Sequence, residues 1–174
     1  SEPGQSFWLA ALTLLGLTVT AGSAAGQECA RDNGGLTLPA GFCAMVVAEG
    51  LPGPRHMAVA ANGDLFVALA GSRTTPGRGV LALRDTNGDG LPDERASFGD
   101  VGGNSVLLHG GYLYFAPNDG GVRYPLRDGS LEPSGPAQTI VSGPPTQGSH
   151  RAKTMAIDES GNLYLNIGSP SNVC

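Results

Sequence analysis

The chain has 174 residues, 28 of them glycine and 13 proline, with 6% aromatic and 14% charged side chains and a formal net charge of −5. That length suits one domain, and a net negative chain with no Lys/Arg cluster excludes a nucleic-acid surface. Glycine and proline punctuate short apolar runs instead of filling one long tract, which is the pattern of an all-β domain with many turns.

The first feature is an apolar run, Phe7 to Thr20 (FWLAALTLLGLTVT), followed by the small residues AGSAAGQ. It reads as a signal peptide or lipid-retained leader over residues 1–26, with cleavage after Ala25 or after Gly26. A run this short does not make a stable membrane span. The opening Ser1-Glu2-Pro3 lacks both Met and a basic flank, so the start reads as truncated. Residues 27–41 form an N-terminal segment in which Cys29 is expected to bridge to Cys43, stapling the mature N-terminus to the first strand in an oxidising compartment, periplasmic or secreted. Cys174 is left over, and its partner is expected beyond the end of the chain.

From residue 42 onward the chain reads as strands. Phe42–Ala48 (FCAMVVA) is a β-rich run ending at GLPGP. Arg55–Ala60 and Asp64–Ala70 flank Ala61-Asn62-Gly63, a hairpin signal. Gly79–Arg84 follows, then DTNGDGLPDE, then Arg95–Phe98. The same order recurs as Ser105–His109, a Gly110-Gly111 turn, Tyr112–Ala116, Gly121–Leu126 and Gln138–Val141. A third copy offers Lys153–Asp158 and Asn162–Ile167 around Glu159-Ser160-Gly161. Aligned on Met57, Val106 and Met155, the copies repeat every 49 residues.

Three all-β copies at this period predict a β-propeller of four-stranded blades, the outermost strand of one feeding the innermost of the next. At this pitch six blades would need roughly 290 residues, within the usual range of about 4–8 blades. The chain therefore holds about three blades, half a ring, and the natural protein is expected to be longer. Tyr112, Tyr114, Phe115 and Tyr164 alternate as blade core.

Equivalent positions in a repeat occupy equivalent places. Two residues before the anchors stand Arg55, Asn104 and Lys153, polar side chains at the entries of the innermost strands. They either line the mouth of the central channel or are solvated strand starts. His150, three residues before Lys153, falls on the same mouth, where its near-neutral pKa suits proton abstraction. A nearby Lys153 cation would lower that pKa. Read alone, His150 could equally be plain surface; His56 and His109 read as structural.

Asp85, Asn87, Asp89 and Asp93 follow D-x-N-x-D-G-x-x-D, which can bring oxygen ligands to one point around Gly90. The bidentate Glu of an EF-hand is replaced by Ala96, so the choices are a structural Ca²⁺ site at a blade edge or a metal-free Asx-rich turn.

The segment HRAKTMAIDESGNLYLNIGSPSN resembles the H-x-x-[R/K]…DG-x-LY-V-x-x-GS-x-x-N segment of the quinoprotein sugar dehydrogenases. These are the six-bladed soluble glucose/aldose and sorbosone-type enzymes that use pyrroloquinoline quinone (PQQ). LPAGFCAMVVAEGLPGPRHMAVAANGDLFVAL is similar to the opening of their first blade, so the resemblance covers Leu38 to Cys174. It implies that His150 is the base for the substrate hydroxyl while hydride passes to the quinone. It also implies that Lys153 and Asn172 lie at the cofactor; Arg55 and Asn104 are added as cofactor-binding candidates by their repeat-equivalent place at the mouth. Substrate and electron acceptor would be a sugar or polyol and a cytochrome or quinone. The family's later Arg-Asn pair and Ca²⁺-holding carbonyls have no counterpart in these residues, so the chain alone would not complete a PQQ site.

A second class stays open, a non-catalytic propeller of NHL or lactonase type that binds a ligand or a protein. A lactonase needs Glu, Asn and Asp ligands around the mouth, and Asn104 is the single candidate. No nucleophile elbow, P-loop or dinucleotide fingerprint is present.

Overall fold

The computed structural model describes residues 29–148 and 150–172. The leader and Cys174 lie outside the described residues; among those described, no helix is long and apolar enough to cross a membrane.

Among the described residues, ten strands form three antiparallel sheets. The first contains β1 (Pro54–Val59), β2 (Leu65–Leu69), β3 (Val80–Arg84) and β4 (Glu94–Phe98) in that order. The second contains β5 (Gly103–His109), β6 (Tyr112–Pro117), β7 (Gly120–Pro125) and β8 (Gln138–Ser142), again in order. The third pairs β9 (Lys153–Ile157) with β10 (Leu163–Ile167). The architecture is thus two full propeller blades and the inner half of a third. Their first strands start 49 and 50 residues apart, at Pro54, Gly103 and Lys153. Each anchor residue faces an equivalent neighbour: Met57 opposite Val67, Val106 opposite Phe115, Met155 opposite Leu165.

The period-2 alternation of each strand divides the core between the two faces of the first sheet. Phe66, Ala68, Val80 and Ala82 meet Val106, Leu113, Phe115 and Leu126 of the second sheet, forming the seam between blades. Burying side chains such as Phe66 and Phe115 stabilises such a seam by about 1.5–3 kcal/mol each. The opposite face carries Val67, Leu69, Leu81 and Leu83, packed by Ala48 and Leu51.

That second cluster explains one difference from the sequence reading. Phe42–Ala48 is not a strand, although its composition suggests one. Of the run, Ala48 packs on the sheet face as cover while Phe42 and Val46 are exposed, and the backbone of Ala44 is taken by Ala30 and by the Asn33 side chain. Cys29 and Cys43 are disulfide-bonded as expected, with their Cα atoms 5.5 Å apart, which ties this cover to the N-terminal segment.

A second difference concerns the aromatic residues. Phe115 is core, but Tyr164 is 58% exposed, because β10 is the edge of its sheet and no described strand covers it. Its hydroxyl donates to Asp158 instead.

Candidate functional site

The two ends of the blades differ in character. The β1–β2 and β5–β6 turns come together at one end around a cavity of about 370 Å³ whose lining includes Asn62, Asp64, His109 and Tyr112. Here Arg84 donates from Nε and Nη2 to both carboxylate oxygens of Asp64 (2.7 and 2.6 Å) and from Nη2 to the Gly129 carbonyl of the second sheet (2.8 Å). That paired guanidinium holds the buried Asp64 carboxyl below its ordinary value; the Asn62 amide adds to this effect and burial opposes it.

The strand starts lie at the opposite end, and so does the candidate site. The loop from Ser142 to Lys153 delivers His150 there, against the 168–172 segment that follows β10. Two glycines permit this approach. A Cβ on Gly168 would overlap the His150 carbonyl and lie 2.7 Å from the His150 Cβ, and one on Gly148, already at φ +97, would overlap Pro170. Both glycines lack that atom, so His150 Nε2 meets Asn172 Oδ1 in a short side-chain contact across 22 residues. An amide oxygen facing Nε2 places the ring proton there and leaves the Nδ1 lone pair free.

The other expected site residues separate into three situations. Arg55 is exposed at the start of β1, with no carboxylate partner among the described residues. Asn104 is 7% exposed and donates from Nδ2 to Asn118 Oδ1 at 2.9 Å, so it braces the β6–β7 turn. Lys153 is fully buried, and its ammonium donates to the carbonyls of Pro145 and Arg151, each at 3.0 Å. It does not lie open at the mouth as the repeat equivalence suggests.

A cleft of about 430 Å³ opens at this end between the second and third sheets, lined by Val101, Pro117, Asn118, Asp119, Thr146 and Arg151. Asn118, Asp119 and Arg151 are side chains that the sequence reading did not single out. The one signal that could have found Arg151 is its place directly after His150.

The Asp-rich loop lies at the opposite end, between β3 and β4. Asp85 accepts amides from Asn87, Gly88 and Gly90 (3.2, 2.7 and 2.6 Å), which hold its carboxyl below the usual range, Gly90 contributing most. Asn87 and Asp89 accept from Asp89 and Leu91, both at 2.8 Å, and Asp93 binds the amide and hydroxyl of Thr86. These bonds are Asx turns, a geometry that fits both readings of Asp85, Asn87, Asp89 and Asp93, the metal-free turn and the structural Ca²⁺ loop. Among the described residues no three acidic, His or Cys side chains gather as metal ligands.

No protein-family model and no curated protein matches the sequence. Solved structures do match the fold. The holo form of the PQQ domain of pyranose dehydrogenase from Coprinopsis cinerea superposes with a TM-score of 0.59 at 21% identity, covering 73% of this chain and 30% of that one. The iodide structure of a Trichoderma reesei member of family AA12 of the carbohydrate-active enzymes gives 0.59 and 21%, over 74% and 33% of the two chains. Its calcium structure gives 0.58 and 21%, over 72% and 32%. The chain spans about a third of the length of these proteins. The fold is therefore the all-β fold of PQQ domains, as the resemblance in the sequence implies.

Proposed function

We propose that this chain is the entry portion of a quinoprotein oxidoreductase that oxidises a sugar or polyol. The single observation that carries the reading is the His150–Asn172 pair, held at the strand-entry end of a fold shared with the PQQ domain of pyranose dehydrogenase.

The residues at this end suit PQQ, a planar tricarboxylate. The guanidinium groups of Arg55 and Arg151 would each take a carboxylate, and Asn104 braces Asn118, which lines the same cleft as Arg151. PQQ would supply a two-electron acceptor there, with Ca²⁺ as its accompanying ion. The chain's own part is acid–base chemistry. Asn172 fixes the imidazole by accepting from Nε2, and Nδ1 takes the proton of the substrate hydroxyl as its C–H bond is oxidised. A positioned base of this kind contributes about 10²–10⁴-fold. Reduced enzyme would pass its electrons to a cytochrome or quinone. The Cys29–Cys43 disulfide supports a periplasmic or secreted location, where such bonds persist.

The test is reconstitution of the complete protein with PQQ and Ca²⁺, assayed with a dye acceptor on a sugar panel. Turnover is expected, and His150→Ala is expected to lower kcat about a hundredfold or more. A wild type without turnover, or a His150→Ala variant equal to it, would favour the ligand-binding propeller.

A further inference from the structure

Lys153 is the most buried cation of the described chain, and it has no carboxylate. Its relative exposure is 0%, and the ion pairs among the described residues all belong to Arg84. Taking an ammonium out of water is costly in such a place, and an apolar side chain of similar length would fill the space without that cost. What the ammonium does there is visible in its acceptors. Pro145 and Arg151 bracket the segment that carries His150, eight and two residues before Lys153, and Nζ reaches both carbonyls at 3.0 Å.

Nothing else in the backbone performs that task. Among the described residues, no backbone–backbone hydrogen bond outside the strands involves residues 143–152. Besides the close packing of Gly148 and Gly168 and the His150–Asn172 contact, the described residues of the loop have no ladder, helix or turn bond of their own. One buried cation closes it from the inside, at the first residue of β9.

We propose that Lys153 is a positioning residue: it holds the 143–152 loop by two carbonyls and so sets His150 for proton abstraction, without touching the cofactor. This rests on the proposed role of His150. It assigns Lys153 a different task from the cofactor contact that the resemblance implies.

The carbonyl of Arg151 belongs to a bond that trypsin cuts, so the tie can be read without turnover. The complete protein is compared as wild type, Lys153→Met and Lys153→Arg under native conditions. Cleavage after Arg151 is followed by mass spectrometry, with the bond after Arg73 in the exposed β2–β3 loop as internal reference. In the wild type, cleavage after Arg151 is expected to lag well behind that after Arg73; equal rates overturn the proposal without any variant. In Lys153→Met it should accelerate at least tenfold relative to the reference, and Lys153→Arg, which keeps donors for both carbonyls, should restore most of the protection.

In parallel, Lys153→Met should lower kcat at least tenfold, with the KM for sugar and the PQQ affinity, read by fluorescence quenching, changed less than threefold. An unchanged cleavage pattern in Lys153→Met, or a tenfold loss of PQQ affinity with kcat retained at saturation, overturns the proposal. The altered cleavage pattern in a protein whose wild type has no turnover sinks the oxidoreductase reading and leaves the loop tie standing.

Discussion

The backbone amide of Met155 donates to the side-chain hydroxyl of Ser105 at 3.1 Å, joining the innermost strands of two blades through a fully buried serine. The bond sets β9 in step with β5, so the repeat pitch read from the sequence becomes a physical register between sheets. Because both partners are buried, removing the acceptor leaves an amide without a bond.

Ser105→Ala should therefore destabilise the folded protein by about 1–3 kcal/mol, the cost of an unsatisfied buried donor. Urea unfolding should show a lower midpoint with an unchanged slope. An unchanged midpoint would mean that the blades are held in step by apolar packing alone.

The Asp64–Arg84 pair predicts a dependence on pH. The folded carboxyl lies below its ordinary value of 3.8, chiefly through the Arg84 hydrogen bonds. Its contribution is thus present above the unfolded value and fades as pH falls below 3.8 through the folded value. Arg84→Met leaves Asp64 buried without its cation, so the variant should be less stable than wild type at neutral pH, by less than for a fully buried pair because Arg84 is partly exposed. The gap between wild type and variant, followed by urea unfolding from pH 7 downward, should narrow in acid.

Gly168→Ala tests the loop contact behind His150. The added methyl overlaps the His150 carbonyl, so the imidazole must move by a sizeable fraction of an ångström. Misplacement on that scale costs about ten- to a hundredfold in kcat. Gly168 lies beyond the end of β10, outside both core clusters, so the melting temperature should shift little. Loss of fold with retained kcat per folded molecule would contradict the assignment.

Asn172→Asp places a carboxylate on the imidazole. An opposite charge at this distance favours imidazolium, so the base is protonated up to a higher pH. The acid limb of the kcat/KM profile should move to higher pH, and an unmoved limb would dissociate Asn172 from the proton-accepting group.

The strands were legible because each alternates with period 2 between glycine-marked turns, and all ten expected in the repeats are present within one or two residues of their read bounds. The His150–Asn172 pair was legible only as two separate ends of a motif; the contact between them depends on Gly148 and Gly168, whose close approaches leave no trace in composition. The repeat-equivalent residues Arg55, Asn104 and Lys153 differ in burial for a packing reason. β5 and β9 each have a preceding blade to cover them, whereas β1 has none among the described residues. Met57 is accordingly 63% exposed while Val106 and Met155 are 4% and 8%. The same gradient leaves Arg55 in solvent and drives Lys153 inside. The Phe42–Ala48 run was misread because composition does not show where a backbone finds its partners, and at Ala44 these are Ala30 and the Asn33 side chain and not a ladder.

Arg84 reaches from its own sheet to the Gly129 carbonyl at the end far from His150. The strand-entry end has its own tie, the Gly79 amide donating to the Val101 carbonyl at 2.8 Å. Clamped at both ends, the first two blades should turn as one rigid piece.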